Sequence, residues 1–231
     1  SWLKHGFVSV NGNSCGTCQY PPMGGSQLGV GCSDPYSASL NGSQSLLGPR
    51  FEVNPYTGVY VYPETNPSGT PVLAGRLQVV TDDVTPASNP GARYFIEGQY
   101  IASDDAQAGN GLNNASYREV TIGSGLALNV VGSTYEGLPA IVAWQTIDPS
   151  VNLTAVDVPG EGRFHLAYTA VDNGNGTWRY EFALHNLNSD RAARSFTVQV
   201  PFGSAVGNVG FHDIFYHSGE PYDGTDWVSS V

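Results

Sequence analysis

The chain has 231 residues, with 20 acids against 9 bases, a net charge of −11 and only 13% charged side chains. That balance excludes a general nucleic-acid binder, which needs a basic footprint to neutralise phosphates. No run of about 18 apolar residues exists to span a membrane, and a hydrophobic content of 40% is too high for wholesale disorder.

The first 50 residues are the least regular. Residues 1–10 read as one short strand, with Trp2, Phe7, Val8 and Val10 as its apolar positions. Residues 11–49 are rich in Gly, Ser, Asn and Pro, and Pro21-Pro22 and Gly24-Gly25 break any helix or strand there. This segment holds all three cysteines, Cys15, Cys18 and Cys32. A c-type haem site needs His at position 19, which is Gln19. A thioredoxin-like pair would open a helix after a strand, and the surroundings are loop. A zinc site lacks a fourth thiol, although His5 would serve. The simplest reading is one disulfide and one odd cysteine, with the pairing open among the three.

Ser1-Trp2-Leu3-Lys4 has neither the charged nor the apolar region of a signal peptide. Low charge, abundant small polar residues and clustered cysteines still predict a secreted, extracellular protein in a mature or trimmed form. Asn-x-Ser/Thr triplets occur at Asn41, Asn114, Asn152 and Asn175, a frequency this composition produces by chance.

From residue 51 the apolar period becomes two. Phe51-Glu52-Val53 and Val59-Tyr60-Val61-Tyr62 flank Asn54-Pro55-Tyr56-Thr57-Gly58, which predicts a hairpin. Further strands are predicted at 72–81, 93–102, 117–122, 126–131, 140–146 and 153–158, from their Val, Ile, Tyr, Phe and Thr content. The residues around 104–114 read as a polar loop, and no long window keeps a helical period. The clearest hairpin joins 163–170 to 177–186 across Asp172-Asn173-Gly174-Asn175-Gly176. There Phe164, Leu166 and Tyr168 alternate with His165, Ala167 and Thr169, and Trp178, Tyr180, Phe182 and Leu184 with Arg179, Glu181, Ala183 and His185. Such alternation describes a sheet with an apolar face and a wet polar face. Residues 195–201 and 210–217 complete about ten short strands. The expected architecture is all-β: an antiparallel β-sandwich, Ig-like or jelly-roll-like, over 51–231, with a long cysteine-containing loop extension over 1–50.

Chemistry-bearing groups are few. Pairing about Asn175 would set His165 opposite His185, near Glu181, as a two-imidazole metal clamp. A one-residue slip would place them on opposite faces. The densest polar run holds His212, Asp213, His217, Glu220, Asp223 and Asp226. His212 and His217 fall on opposite faces of a regular strand, while Asp223-Gly224-Thr225-Asp226 offers oxygen ligands for Ca²⁺ without full EF-hand spacing. The doublets Asp82-Asp83 and Asp104-Asp105 supply at most one catalytic carboxylate each; a glycosidase pair would have to come from distant segments, such as Glu97 with Glu181. Gly123-Ser124-Gly125 is not a nucleophile elbow, because Ile122 and Leu126 flank it. Tyr60 and Tyr62, alternating with Val59 and Val61, suggest an aromatic platform for glycan contact.

Gly31-Cys32-Ser33-Asp34-Pro35-Tyr36, Asn113-Asn114-Ala115-Ser116-Tyr117-Arg118, Trp178-Arg179-Tyr180-Glu181-Phe182 and the run from Tyr216 to Trp227 are the most distinctive segments. In these, the chain resembles a group of uncharacterised secreted bacterial β-sandwich proteins. The resemblance implies the fold and compartment but carries no activity and no functional residues. It also implies further strands beyond Asp-Gly-Thr-Asp-Trp, which leaves three expectations: a trimmed form, a processed form, or a sheet completed by another chain, with residues 1–10 as the candidate donor strand. The reading is a secreted, non-catalytic structural or adhesive protein that self-associates or contacts glycans, with Ca²⁺ the preferred ion. The alternative is a secreted copper-, zinc- or glycan-dependent enzyme.

Overall fold

The computed structural model describes residues 9–13, 16–34, 50–61, 78–213 and 225–230. The chain forms two compact units. Among the described residues, the first contains 9–13, 16–34 and 50–52, and the second contains 53–61, 78–213 and 225–230.

The first unit is loop closed by local polar bonds. Its disulfide joins Cys18 to Cys32; Cys15 and His5 lie outside the described residues. Asn11 organises the turn. Its backbone takes a φ of 51°, and its buried side chain accepts from the Gly29 N–H (2.9 Å) and donates to Ser9 Oγ (2.9 Å). Asn tolerates this left-handed conformation because its short amide can bond locally. A single antiparallel bridge, Gly12 to Ser33, closes the loop.

The second unit is mostly strand, in two antiparallel three-stranded sheets. Strands β1 (Tyr94–Gln99), β2 (Ala115–Ile122) and β3 (Leu128–Glu136) form the first, in that order. Strands β4 (Asn152–Val158), β5 (Gly162–Asp172) and β6 (Trp178–Asn186) form the second. Each strand pairs with the next in sequence, so both sheets are simple meanders, with short connections except between β1 and β2, where residues 100–114 intervene. Tyr117 anchors the first sheet at 2% exposure, stacked on Tyr135 at 4.8 Å and edge-on to Phe95 at 5.9 Å. Offset and edge contacts of this kind add to what area burial contributes. The β2–β3 register shifts between Tyr117 and Glu119, and the Arg118 guanidinium bonds the Gly132 carbonyl at that irregularity. Among the described residues, no helix is long and apolar enough to cross a membrane.

Several expected strands differ. The segment 140–146 is mostly helical, α2 (Val142–Ile147). Ala140, Ala143, Trp144 and Ile147 recur at i, i+3, i+4 and i+7, and Pro139 and Pro149 bracket them, so the helical period outweighed the β-propensity of Ile141 and Val142. The polar loop at 104–114 begins inside a short helix, α1 (Ser103–Gln107), with Asp104 and Asp105 in its first turn, where carboxylates favour the helix dipole. Of 72–81, residues 72–77 lie outside the described residues, 78–80 join no ladder, and Thr81 opens a 3-10 turn, Thr81–Val84. The hairpin at 51–62 reduces to one bridge, Val53 to Tyr60, around the 54–58 turn. Residues 195–201 and 210–213 run without ladder partners. The predicted strand at 1–10 falls mostly outside the described residues, as do 214–217.

Candidate functional site

The β5–β6 hairpin builds the most structured polar cluster. The Asn173 N–H bonds the Thr177 carbonyl at 3.0 Å, and Asp172 Oδ1 accepts from the Gly174 N–H at 2.8 Å. This closed turn sets the register, and His165 pairs directly with His185, their ring centroids 6.0 Å apart. Strand alternation then puts both imidazoles on one face with Ala167, Thr169 and Ala183.

That polar face is the covered one. Ala167 is 0% exposed and Thr169 is 6%, whereas Trp178 and Tyr180 on the aromatic face are 55% and 54% exposed. At the end of the hairpin away from the turn, the polar face is thus the covered one, while Arg179 and Glu181 on the same face near the turn stay exposed. The cause is β1, whose Glu97 reaches His185 on β6: His185 Nε2 lies 3.1 Å from Glu97 Oε2. Gln99 Nε2 also donates to the Leu187 carbonyl at 2.7 Å. Small side chains at 167 and 183 leave room for this approach.

Glu97 is fully engaged. Its Oε2 accepts from the Ala140 N–H at 2.7 Å, and its Oε1 from Gln99 Nε2 at 3.2 Å. Burial pushes its carboxyl upward, but the His185, Ala140 and Gln99 bonds outweigh this and hold it below the usual carboxylate value. Burial, reinforced by His185 and Arg163, holds the His165 imidazole below its usual value. The Nδ1 atoms of His165 and His185 are buried with no hydrogen-bond partner among the described residues. The cluster can accept a proton or bind a donor.

Glu97 was named only as one member of a carboxylate pair. Its actual partner is His185, while Glu181 pairs with Arg179 at 3.3 Å. Among the described residues, the other predicted site residues are dispersed. His212 Nε2 lies 3.3 Å from Asp83 Oδ2; Asp213 and Asp226 are exposed; His217, Glu220 and Asp223 lie outside the described residues. Asp105 Oδ2 accepts from Asn114 Nδ2 at 2.7 Å, a structural role. Among the described residues, no group of three or more His, Cys, Asp or Glu side chains is arranged to hold a metal ion. Tyr60 is exposed, and Tyr62 lies outside the described residues.

One feature went unnoticed in the sequence. An open cleft of ≈ 380 Å³ lies between the β1 start and α2, lined chiefly by Arg93, Phe95, Ala140, Trp144 and Ile147. Arg93 sits 5.7 Å above the Phe95 ring and pairs with both Glu119 oxygens at 2.8 and 2.6 Å. Its charge is therefore already committed. The helical period of 140–147 was the signal that would have revealed this wall.

Comparison of the chain with protein-family models, curated proteins and solved structures finds no match.

Proposed function

We propose that this chain is a secreted, non-catalytic structural or adhesive protein of a bacterial surface or matrix, with self-association as its working property. The observation that carries this reading is the open aromatic face of the second sheet. Trp178, Tyr180, Phe182 and Leu184 are all at least 39% exposed on one side of β6. On the other side Ala183 and His185 are half-buried, and Arg179 and Glu181 nearer the turn are exposed. Exposed contiguous apolar surface is costly in water and marks association sites. The Glu97–His185 and Gln99–Leu187 links support a sandwich arrangement of the two sheets, with the aromatic face outward.

Sedimentation velocity across a hundredfold concentration range tests the reading. Growth of oligomers with concentration is expected. A monomer throughout that range would overturn it.

A metal-dependent or glycan-active secreted enzyme is the second reading, and the unpartnered Nδ1 atoms of His165 and His185 favour it. Elemental analysis separates the two. Stoichiometric copper or zinc would replace the structural reading, whereas calcium alone would leave it standing.

A further inference from the structure

Residues 195–202 carry a strand pattern without a sheet. Phe196, Val198, Val200 and Phe202 alternate with Ser195, Thr197, Gln199 and Pro201. All of 195–202 is exposed, and Phe202 completely so. The segment is held near both ends of a longer strap. The Phe196 ring packs edge-on against Phe182 of β6 at 5.2 Å. Beyond it, Phe211 stacks on Trp227 at 5.2 Å and His212 meets Asp83. Between these anchors the one backbone bond among the described residues is Ser204 N–H to the Pro201 carbonyl, at 3.1 Å. The amides of 195–200 are thus unpaired with other backbone among the described residues, in a segment that is exposed throughout.

We propose that residues 195–202 add as a strand to the outer edge of β6 in a second copy of this chain, a head-to-tail contact. This rests on the self-association reading and specifies its contact. β6 is the terminal strand of its sheet, so among the described residues its outer N–H and C=O groups pair with no neighbouring strand. Strand addition satisfies both rows of backbone groups at once. The side chains match by parity. In a ladder the four apolar residues of the segment continue the Trp178–Tyr180–Phe182–Leu184 face, as Phe196 already does within one chain. Thr197 and Gln199 then join the Arg179 and Glu181 side.

Charge identifies the occupant. The chain carries −11, yet residues 195–211 contain no charged side chain. Two copies repel through most of their surfaces, and a charge-free stripe is where they can meet without apposing acids. A basic partner would gain nothing from that stripe. Pro201 ends the ladder, since it has no N–H to donate. Because donor and acceptor are different patches, the contact repeats from copy to copy and builds a chain of subunits, a ring where the rotation closes and a filament where it does not.

The test uses the full chain with two variants. Val198→Pro removes a ladder N–H from the donor. Tyr180→Asp places a charge on the acceptor face. Each is expected to weaken association at least tenfold by sedimentation, with unchanged circular dichroism and unfolding midpoint. Mixed one to one, the two variants retain one working donor and one working acceptor, and should form a dimer that does not extend. Amide exchange at 195–202 should slow as concentration rises. Wild-type-like association of Val198→Pro would overturn this contact while leaving self-association in place. Concentration-independent protection of 195–202 would show pairing within one chain and also overturn it. A wild-type chain that stays monomeric would overturn both this contact and the broader reading.

Discussion

His185 Nε2 on β6 lies 3.1 Å from Glu97 Oε2 on β1, and this contact decides which side of the second sheet is covered. Glu97 also accepts the Ala140 N–H, so one carboxylate ties β1, β6 and the approach to α2 together. Replacing Glu97 by Ala leaves a half-buried amide and an imidazole without this partner. A loss of about 2 kcal/mol is expected for such a charged acceptor. Glu97→Gln should cost less, because its carbonyl can still accept from Ala140. Urea unfolding of both variants checks the order; equal stability of Glu97→Ala and wild type would refute it.

Acid should destabilise the second unit in two stages. Folded His165 is held below its ordinary value of 6.5, so below pH 6.5 the unfolded chain takes up a proton that the folded chain resists. Stability therefore falls as pH drops beneath that value. Glu97 is held below 4.5, and its contribution is present above that value and lost as pH falls through its folded pKa. His165→Gln should flatten the first stage and spare the second. Unfolding midpoints from pH 8 to 3 measure both, and an unchanged first stage in the variant would contradict the assignment.

Two glycines with positive φ should respond differently to Ala. Gly162 has a φ of 134°, and an added Cβ would fall 2.8 Å from the Ser189 nitrogen and 2.9 Å from the Asn188 carbonyl. Backbone cannot move aside cheaply, so backbone strain of about 1–3 kcal/mol is joined by a steric clash. Gly174 in the β5–β6 turn has a φ of 73° with open space around it. There the conformational cost alone applies, about 1 kcal/mol. Thermal unfolding should rank Gly162→Ala well below Gly174→Ala.

Reducing the disulfide should act locally. Cys18 and Cys32 close a loop of separation 14, for which chain entropy predicts about 3 kcal/mol of stabilisation. Few apolar side chains are buried among residues 9–34, so little else compensates. Hydrogen exchange should accelerate across 9–34 on reduction and stay unchanged in β1 to β6. Uniform acceleration would mean the disulfide stabilises both units.

Local information was readable in advance. The β5–β6 register and the facing of His165 and His185 followed from a turn and two alternating strands adjacent in sequence. The helix at 142–147 was missed because Ile, Val and Trp favour strands in isolation, while the apolar spacing that favours a helix matters only once Phe95 and its sheet supply a surface. Glu97 looked like half of a carboxylate pair because no local rule links residues 88 positions apart.

Period-two alternation broken by Gly, Pro and Asn turns determined a chain that is mostly strand. It could not determine where the acids act. Asp82-Asp83 and Asp104-Asp105 lie in short helical turns, and Asp83 and Asp105 bond His212 and Asn114. Alternation separates two faces of a strand but is symmetric with respect to which is covered. Only the first sheet, through Glu97 of β1, breaks that symmetry. By placing Glu97 against His185, the tertiary structure covered the polar face and left the aromatic one open.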